Sequence, residues 1–205
     1  MKQNTILIAV VALLIGGIGG YMIADKDEYG MEGMDHSMMM SDDDETNAKP
    51  MRNMSGMDHS MMMVSSEREF VAGMIPHHQE AVDTANEVLA RGGSTAEIRA
   101  LAEEIVVAQE TEIAMLKEWH VAWYGEEYAE DDSYQPMMRD LSKLSGADLD
   151  KRFLEDMIPH HMGAIMMAQS VRPHIEHPEV TDMADAIMKT QTAEIELMRD
   201  LLKRL

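Results

Sequence analysis

The sequence contains no cysteine, and this absence excludes several kinds of chemistry. Disulfide bonds, zinc–thiolate sites and thiol catalysis all require cysteine. Basic residues are also scarce, with 17 Lys and Arg against 38 Asp and Glu, so the formal net charge is −21. Nucleic acids and anionic lipid surfaces select proteins with clustered Lys and Arg, so neither is an expected partner. The surplus of carboxylates would instead attract cations.

Aromatic side chains are scarce as well, and methionine is unusually abundant. Phe, Trp and Tyr make up 4% of the chain, with only two Phe, whereas Met occurs 24 times. A core with so few aromatic residues must be built largely from Met and Ala, or else much of the methionine serves another purpose. Met fills irregular core gaps, and its thioether is also a soft metal ligand.

The first 24 residues form an apolar zone. Residues 6–24 are an unbroken apolar run, about the length that spans ~30 Å of hydrocarbon. We expect residues 1–24 to be a signal anchor or a signal peptide, and the length of the run favours an anchor. Lys2 precedes the run and Asp25 follows it, so the positive-inside rule places the rest of the chain outside the cytoplasm. The expected location is the periplasm or the outer face of the cell membrane, with membrane contact only through residues 6–24.

Residues 25–65 have the composition of a disordered acidic linker, without helical or strand periodicity. The segment Met-x-Gly-Met-Asp-His-Ser-Met-Met-Met occurs twice, at 31–40 and 54–63. Thioether and imidazole groups suit copper, so the repeats predict accessory metal sites. The alternative is a duplicated low-complexity tail without a function. The predicted accessory ligands are Met34, His36, Met38, Met57, His59 and Met61.

Residues 66–205 predict an all-α domain. Ser66 and Ser94 are suited to cap the first two helices, and Gly92 and Gly125 are suited to follow them. Pro178 fits the first position of the last helix. The four amphipathic helices are expected at about residues 67–90, 95–124, 147–172 and 178–205.

The two halves of this domain repeat each other. Met-Ile-Pro-His-His occurs at 74–78 and again at 157–161. Gln-x-x-Glu-Ile occurs at 109–113 and again at 191–195, so both motifs recur at almost the same interval. Each half is therefore a helical hairpin. Because one hairpin cannot bury its apolar stripe alone, we expect two duplicated hairpins to pack into a four-helix bundle with pseudo-twofold symmetry.

Helical spacing places the polar residues of both motifs on the apolar stripes. Burying a Glu and two His in each half is costly unless these groups are paired or bind a metal. We interpret Glu112 and Glu194 as groups that orient the imidazoles, with direct ligation as the alternative. Met198 is open between a ligand and core filler. The predicted metal residues are Met74, His77, His78, Met157, His160, His161, Glu112, Glu194 and Met198.

The combination of Met and His favours copper among the metals. Soft thioethers select Cu(I), with Ag(I) as its mimic, and imidazole also accepts Cu(II). Zinc would accept the histidines but gains nothing from Met. Di-iron bundles use Glu-x-x-His pairs, which are absent at Glu112 and Glu194. Copper is therefore the predicted metal, with Cu(I) preferred and Cu(II) accepted.

The doubled Met-Ile-Pro-His-His and the paired Gln-x-x-Glu-Ile resemble the family known as domain of unknown function 305. The resemblance covers residues 66–205. It implies a ferritin-like four-helix bundle, an exported location and a role in copper binding and resistance. By position, the resemblance implies metal-binding roles for the Met and His residues named above, at 74, 77 and 78 in the first half and at 157, 160 and 161 in the second. Leu116 stands where the second half has Met198, so the first half has no thioether at that position.

The leading hypothesis is a copper-binding protein, not an enzyme, that sequesters copper or passes it to a copper exporter or another envelope metal-handling protein. One alternative is a ferritin-like metal-dependent oxidase. The other is a structural bundle whose polar stripe sets helix register without metal. His174 and His177 are open between an accessory site and ordinary surface residues.

Overall fold

The computed structural model describes residues 62–129 and 134–205, and within these ranges the protein has four α-helices and no β-strand. The all-α prediction is confirmed, and each helix begins and ends within one residue of its predicted bounds. A 3-10 turn, Arg172–His174, separates the third and fourth helices. The helices are α1 Glu67–Arg91, α2 Ala96–Tyr124, α3 Gly146–Val171 and α4 Pro178–Arg204.

The predicted apolar N-terminal segment and the six accessory ligands lie outside the described residues, as do both linker repeats except for Met62 and Met63. Within 62–129 and 134–205, no helix is both long and apolar enough to cross a membrane.

The helix ends follow from local hydrogen bonds. Ser66 caps α1 as predicted, since its hydroxyl accepts a hydrogen bond of 3.1 Å from the backbone N–H of Glu69. The prediction of Ser94 as the cap of α2 is wrong. Thr95 takes that role, because its hydroxyl accepts from the backbone N–H of Ile98 at 3.2 Å. Gly125 ends α2 in the left-handed conformation, with φ of 75°, which glycine adopts without strain.

The helices pack as the predicted pair of hairpins. α1 packs along α2, α3 packs along α4, and the hairpins meet mainly through α1 against α3. Both helices of that contact continue through an internal proline, Pro76 in α1 and Pro159 in α3. The histidine pair of each motif follows its proline directly, so the doubled motif lies at the contact between the hairpins.

The core consists of two apolar clusters, one on each side of a buried polar layer. In the first cluster, the α1 residues are centred on 70–75 and the α3 residues on 164–171. In the second, they are centred on 81–88 and 149–157. In each helix, the polar residues lie between the stretch that packs in one cluster and the stretch that packs in the other. We call this set the polar layer: His77, His78, Gln109, Glu112, His160, His161, Gln191 and Glu194.

The apolar stripes that helical periodicity predicts, which run to Trp123 in α2 and to Leu205 at the end of α4, are almost entirely buried. The exceptions are Trp123, which is half-buried, and Leu205, which is 49% exposed. Both lie near the C-terminal end of their helix, where fewer neighbouring residues remain to cover a side chain.

Two buried acids connect the hairpins, and the sequence analysis missed both. Glu67 in the first turn of α1 accepts hydrogen bonds from the backbone N–H groups of Glu176 and His177, at 2.7 and 2.8 Å. Asp150 in α3 accepts from Gly93 and Ser94, at 2.6 and 2.7 Å. The two acids occupy equivalent places in the repeat, at the same spacing before its Met-Ile-Pro-His-His motif. Each hairpin therefore binds the loop of the other through a carboxylate at the same repeat position.

Candidate metal centre

The polar layer is sealed from solvent at its centre. The side chains of His77, His78, His160 and His161 are 0–1% exposed. Met74 and Met157, one turn earlier in α1 and α3, are fully buried. A polar atom of this layer that lacks a hydrogen-bond partner therefore destabilises the folded state by on the order of 1–3 kcal/mol.

The inner pair of histidines meets across the hairpin contact. The rings of His77 and His160 have centroids 3.9 Å apart and an interplanar angle of 35°. The ring of His78 is 6.1 Å from that of His77, and His161 is 6.2 Å from His160. The four imidazoles therefore lie next to one another in the middle of the bundle, in the order His78, His77, His160 and His161.

The outer pair lies against the two predicted carboxylates. His161 Nε2 is 2.6 Å from Glu194 Oε2 in an aligned hydrogen bond. His78 Nε2 is 2.7 Å from Glu112 Oε2, but the direction of its N–H misses the carboxylate, so this contact is an ion-pair distance without hydrogen-bond geometry. Each carboxylate comes from the second helix of the same hairpin. Such a contact fixes the ring orientation and leaves Nδ1 on the far side.

Nine buried side-chain polar atoms have no hydrogen-bond partner among the described residues, and all of them belong to the polar layer. Native proteins leave few such atoms, and a cluster of them is typical of a place where a ligand binds. The atoms are both ring nitrogens of His77, His78 and His160, Nδ1 of His161, and Oε1 of Gln109 and Gln191.

Burial also determines the protonation of the inner histidines. It lowers the pKa of His77 well below its usual value, and the three neighbouring histidines lower it further. Burial likewise lowers the pKa of His160, partly offset by the nearby carboxylate of Glu80. Both rings are therefore neutral at pH 7. A neutral imidazole carries a lone pair on one nitrogen, which is the form that binds a metal ion.

Glu80 is a further residue of the centre that the sequence analysis missed. Its Oε2 lies 3.5 Å from His160 Nε2. The same carboxylate accepts hydrogen bonds from Tyr134 Oη at 2.5 Å and from the backbone N–H groups of Met137 and Met138, at 3.1 and 2.8 Å. Burial alone would raise the pKa of Glu80, but these contacts outweigh burial and lower it. Glu80 thereby fixes the segment after α2 over the His160 end of the layer.

Among the described residues, no three His, Asp or Glu side chains converge tightly enough to form a metal site on their own. The unpaired donors are imidazoles, and they lie beside buried thioethers. A centre of this composition suits a soft ion that accepts sulfur and nitrogen, and it fits poorly with the oxygen ligands that Mg²⁺ or Ca²⁺ requires.

Three other candidates lie away from the layer. Met198 is fully buried in the second apolar cluster, where it packs with neighbours such as Leu201. His177 pairs with Glu67 at 2.6 Å and stacks on Trp123 with ring centroids 3.8 Å apart. His174 is exposed. Because these contacts already occupy His177, the structure does not bring His174 and His177 together as a ligand pair.

These features define an all-α bundle of two repeated hairpins with a buried layer of His, Gln and Glu. The family model for domain of unknown function 305 matches the chain twice, at residues 20–120 and 67–202. The chain belongs to this family. No curated protein sequence matches it.

Solved structures of the family have the same fold. The Cu(I)-bound form of CopM matches with 31% sequence identity and a TM-score of 0.63, over 69% of this chain and 98% of CopM. CopM has also been solved in a Cu(II)-bound form and in Ag-bound forms. A DUF305 fragment from Deinococcus radiodurans matches with 30% identity and a TM-score of 0.60, over 70% of this chain and 99% of the fragment. A putative secreted DUF305 protein from Streptomyces coelicolor matches with 26% identity and a TM-score of 0.59, over 66% of this chain and 90% of that protein.

Proposed function

We propose that this protein binds copper ions in the polar layer of its bundle. The observation that carries the proposal is the cluster of nine buried polar atoms without partners, seven of which are histidine nitrogens. Imidazole lone pairs beside buried thioethers are the donor set that Cu(I) prefers, with Cu(II) as a second ion that imidazole accepts. The copper- and silver-bound forms of CopM support the same conclusion.

Different residues have different roles in this proposal. His77, His78, His160 and His161 supply nitrogen ligands, and Met74 and Met157 supply sulfur. Glu112 and Glu194 hold the outer imidazoles in orientation. Met198 acts as core filler, since it packs in an apolar cluster.

We further propose that the protein handles copper without catalysing a reaction, outside the cytoplasm. A secreted relative and the apolar run at 6–24 support this location. The protein would store copper or pass it to an exporter or another envelope protein. The Met and His repeats at 31–40 and 54–63 would capture ions at high local concentration and deliver them to the bundle.

The experiment that tests the copper proposal is an anaerobic Cu(I) titration of the whole chain against a chromophoric competitor. A variant with His77, His78, His160 and His161 changed to Ala should lose the tight binding phase. His174→Ala is the matched control because that residue is exposed and should leave the titration unchanged. Circular dichroism of each variant checks that the helices remain. Tight binding that survives in the folded quadruple variant would contradict the assignment to the polar layer.

A further inference from the structure

The duplication breaks at one position beside the polar layer. Glu80 and Gly163 are counterparts in the repeat, since each is the second residue after the histidine pair of its helix. Glu80 places a carboxylate 3.5 Å from His160 Nε2. Gly163 leaves the equivalent place beside His77 without a carboxylate. His160 therefore faces a carboxylate, whereas His77 does not face one at the equivalent place.

The place that a side chain at residue 163 would occupy is surrounded by soft groups. A Cβ atom built on Gly163 would lie 3.1 Å from His77 Nε2, 3.1 Å from Met62 Sδ and 3.4 Å from Met137 Cε. The imidazole nitrogen and the thioether sulfur thus both lie against the side of Gly163 that a side chain would occupy. His77 Nε2 is buried and has no hydrogen-bond partner within 62–129 and 134–205.

Met62, His77 and Met137 line a cavity of about 950 Å³ that reaches the surface. Four methionines line the cavity together with His77, namely Met62, Met63, Met137 and Met167. Met63 is 58% exposed, whereas Met167 is buried. The thioethers therefore extend from solvent to the polar layer. The segment that Glu80 binds lines the same cavity through Tyr134 and Met137.

We propose that Met62, His77 and Met137 form an entrance site for a soft monovalent cation, Cu(I) or Ag(I), and that metal reaches the polar layer through it. This inference rests on the proposed function of the layer. Thioether and neutral imidazole select soft ions, and binding needs no change of oxidation state. A carboxylate at residue 163 would fill the space beside His77, just as the carboxylate of Glu80 lies 3.5 Å from His160 Nε2. Gly163 is therefore the residue that keeps a side chain out of the space between His77 and Met62.

The first part of the test follows the methionine methyl groups directly. The whole chain is labelled with ¹³C at its methionine methyls and titrated with silver nitrate. The expected result is that the resonances of Met62 and Met137 shift within the first equivalents of Ag(I), while that of Met138 does not. Met138 is the matched control because it follows Met137 directly but packs against the second apolar cluster. Unmoved Met62 and Met137 resonances would overturn the proposal.

The second part measures how fast Cu(I) is transferred from a chromophoric chelator. We expect Met62→Leu combined with Met137→Leu to slow loading about tenfold, the lower end of the range for lost metal-site contacts. The final affinity of the layer should remain that of the unmodified chain. Leu keeps the volume of Met but has no sulfur donor, so packing is preserved. Met138→Leu should load at the unmodified rate.

A third variant, Gly163→Ala, fills the space beside His77 and Met62 and leaves every metal donor in the chain. The new Cβ would lie closer to His77 and Met62 than ordinary contacts allow, while alanine favours the helix. We expect the same slowing as in the double Leu variant. Tight Cu(I) binding with unchanged loading rates in both variants would overturn the entrance site and leave the proposed function standing. A chain that binds no Cu(I) tightly would overturn both.

Discussion

At the scale of single residues, the polar layer contains two kinds of histidine. The outer residues, His78 and His161, each lie against a carboxylate of their own hairpin. The inner residues, His77 and His160, stack on each other, and burial lowers the pKa of both. The outer rings are thus held in place by charge, whereas the inner rings are kept neutral by desolvation. Desolvation therefore favours a free lone pair on a nitrogen of each inner ring at neutral pH.

The carboxylates should tune metal affinity from a distance. We expect Glu194→Gln to weaken Cu(I) binding by about 10–100-fold, because removing a hydrogen-bonding partner of a ligating imidazole has that effect. Glu112→Gln should cost less, since its contact with His78 lacks hydrogen-bond alignment. A competition titration measures both. Glu196→Gln on the exposed face of α4 is the control, and an equal loss there would contradict a specific role for Glu194.

The inner histidines should make the metal-free protein less stable in mild acid. Their pKa values are lowered in the folded state, so below about pH 6.5, the usual histidine value, the unfolded chain binds more protons than the folded chain. The stability is therefore fully present above about pH 6.5 and is lost as the pH falls towards the folded-state pKa values. Urea unfolding between about pH 7.5 and 5.5 measures this loss.

The variant for this pH prediction is His77→Gln, which should flatten the dependence of the unfolding free energy on pH. His174→Gln, at an exposed position, should leave it as it is. A flat profile in the unmodified chain would show that folding does not lower the pKa values of the inner histidines.

At the scale of helices and loops, the two hairpins are joined by reciprocal contacts. Glu67 binds the backbone before α4, and Asp150 binds the backbone before α2. In each case a carboxylate near the start of one helix satisfies the N–H groups of the opposite loop. A buried N–H without such a partner is costly, so these acids help to determine how the hairpins align.

Asp150→Ala should therefore lower the free energy of unfolding by about 2–3 kcal/mol, the scale for lost hydrogen bonds to a charged group. Asp148→Ala, two residues earlier and exposed, should change it by less than about 0.5 kcal/mol. Chemical denaturation of both variants in the absence of metal gives the comparison. Equal effects at the two positions would indicate that Asp150 does not join the hairpins.

At the scale of the whole molecule, the polar layer lies between two apolar clusters and thus interrupts the core. The clusters hold the four helices together without metal, and the layer adds unpaired polar atoms at the centre. A ligand that satisfies those atoms binds only to the folded chain. Metal binding should therefore be linked to global stability.

We expect Ag(I) to raise the melting temperature of the protein and Mg²⁺ to leave it unchanged. At a free Ag(I) concentration about 100 times the Kd, the expected stabilisation is about 2.7 kcal/mol. The accessory ligands predicted in the linker exist in the unfolded chain as well, so binding there would not contribute. Thermal unfolding followed by circular dichroism is the measurement. The quadruple histidine variant should show no shift, and an equal shift in that variant would place the binding elsewhere.

Local sequence signals determined the four helices. Apolar spacing, a serine cap, glycines after two helices and Pro178 all act within a few residues, so the bounds could be predicted closely. The duplicated motif likewise predicted that two histidines from each half would be buried in one bundle. The misplaced cap, Ser94 for Thr95, shows the limit of such signals, because two adjacent hydroxyl residues both satisfy the pattern and only the geometry of the turn selects one.

Only the tertiary structure decided which donors meet. The pairing of each outer histidine with its glutamate, the crossed contacts of Glu67 and Asp150, and the contact of Glu80 with His160 join residues on different helices or loops. The sequence alone shows that Glu80 and Gly163 occupy equivalent positions of the repeat. The consequence of that difference depends on the tertiary structure, which brings Met62 and His77 next to Gly163. Helix formation depends on neighbours along the chain, whereas such contacts depend on how separate helices pack, and packing is set by the whole core at once.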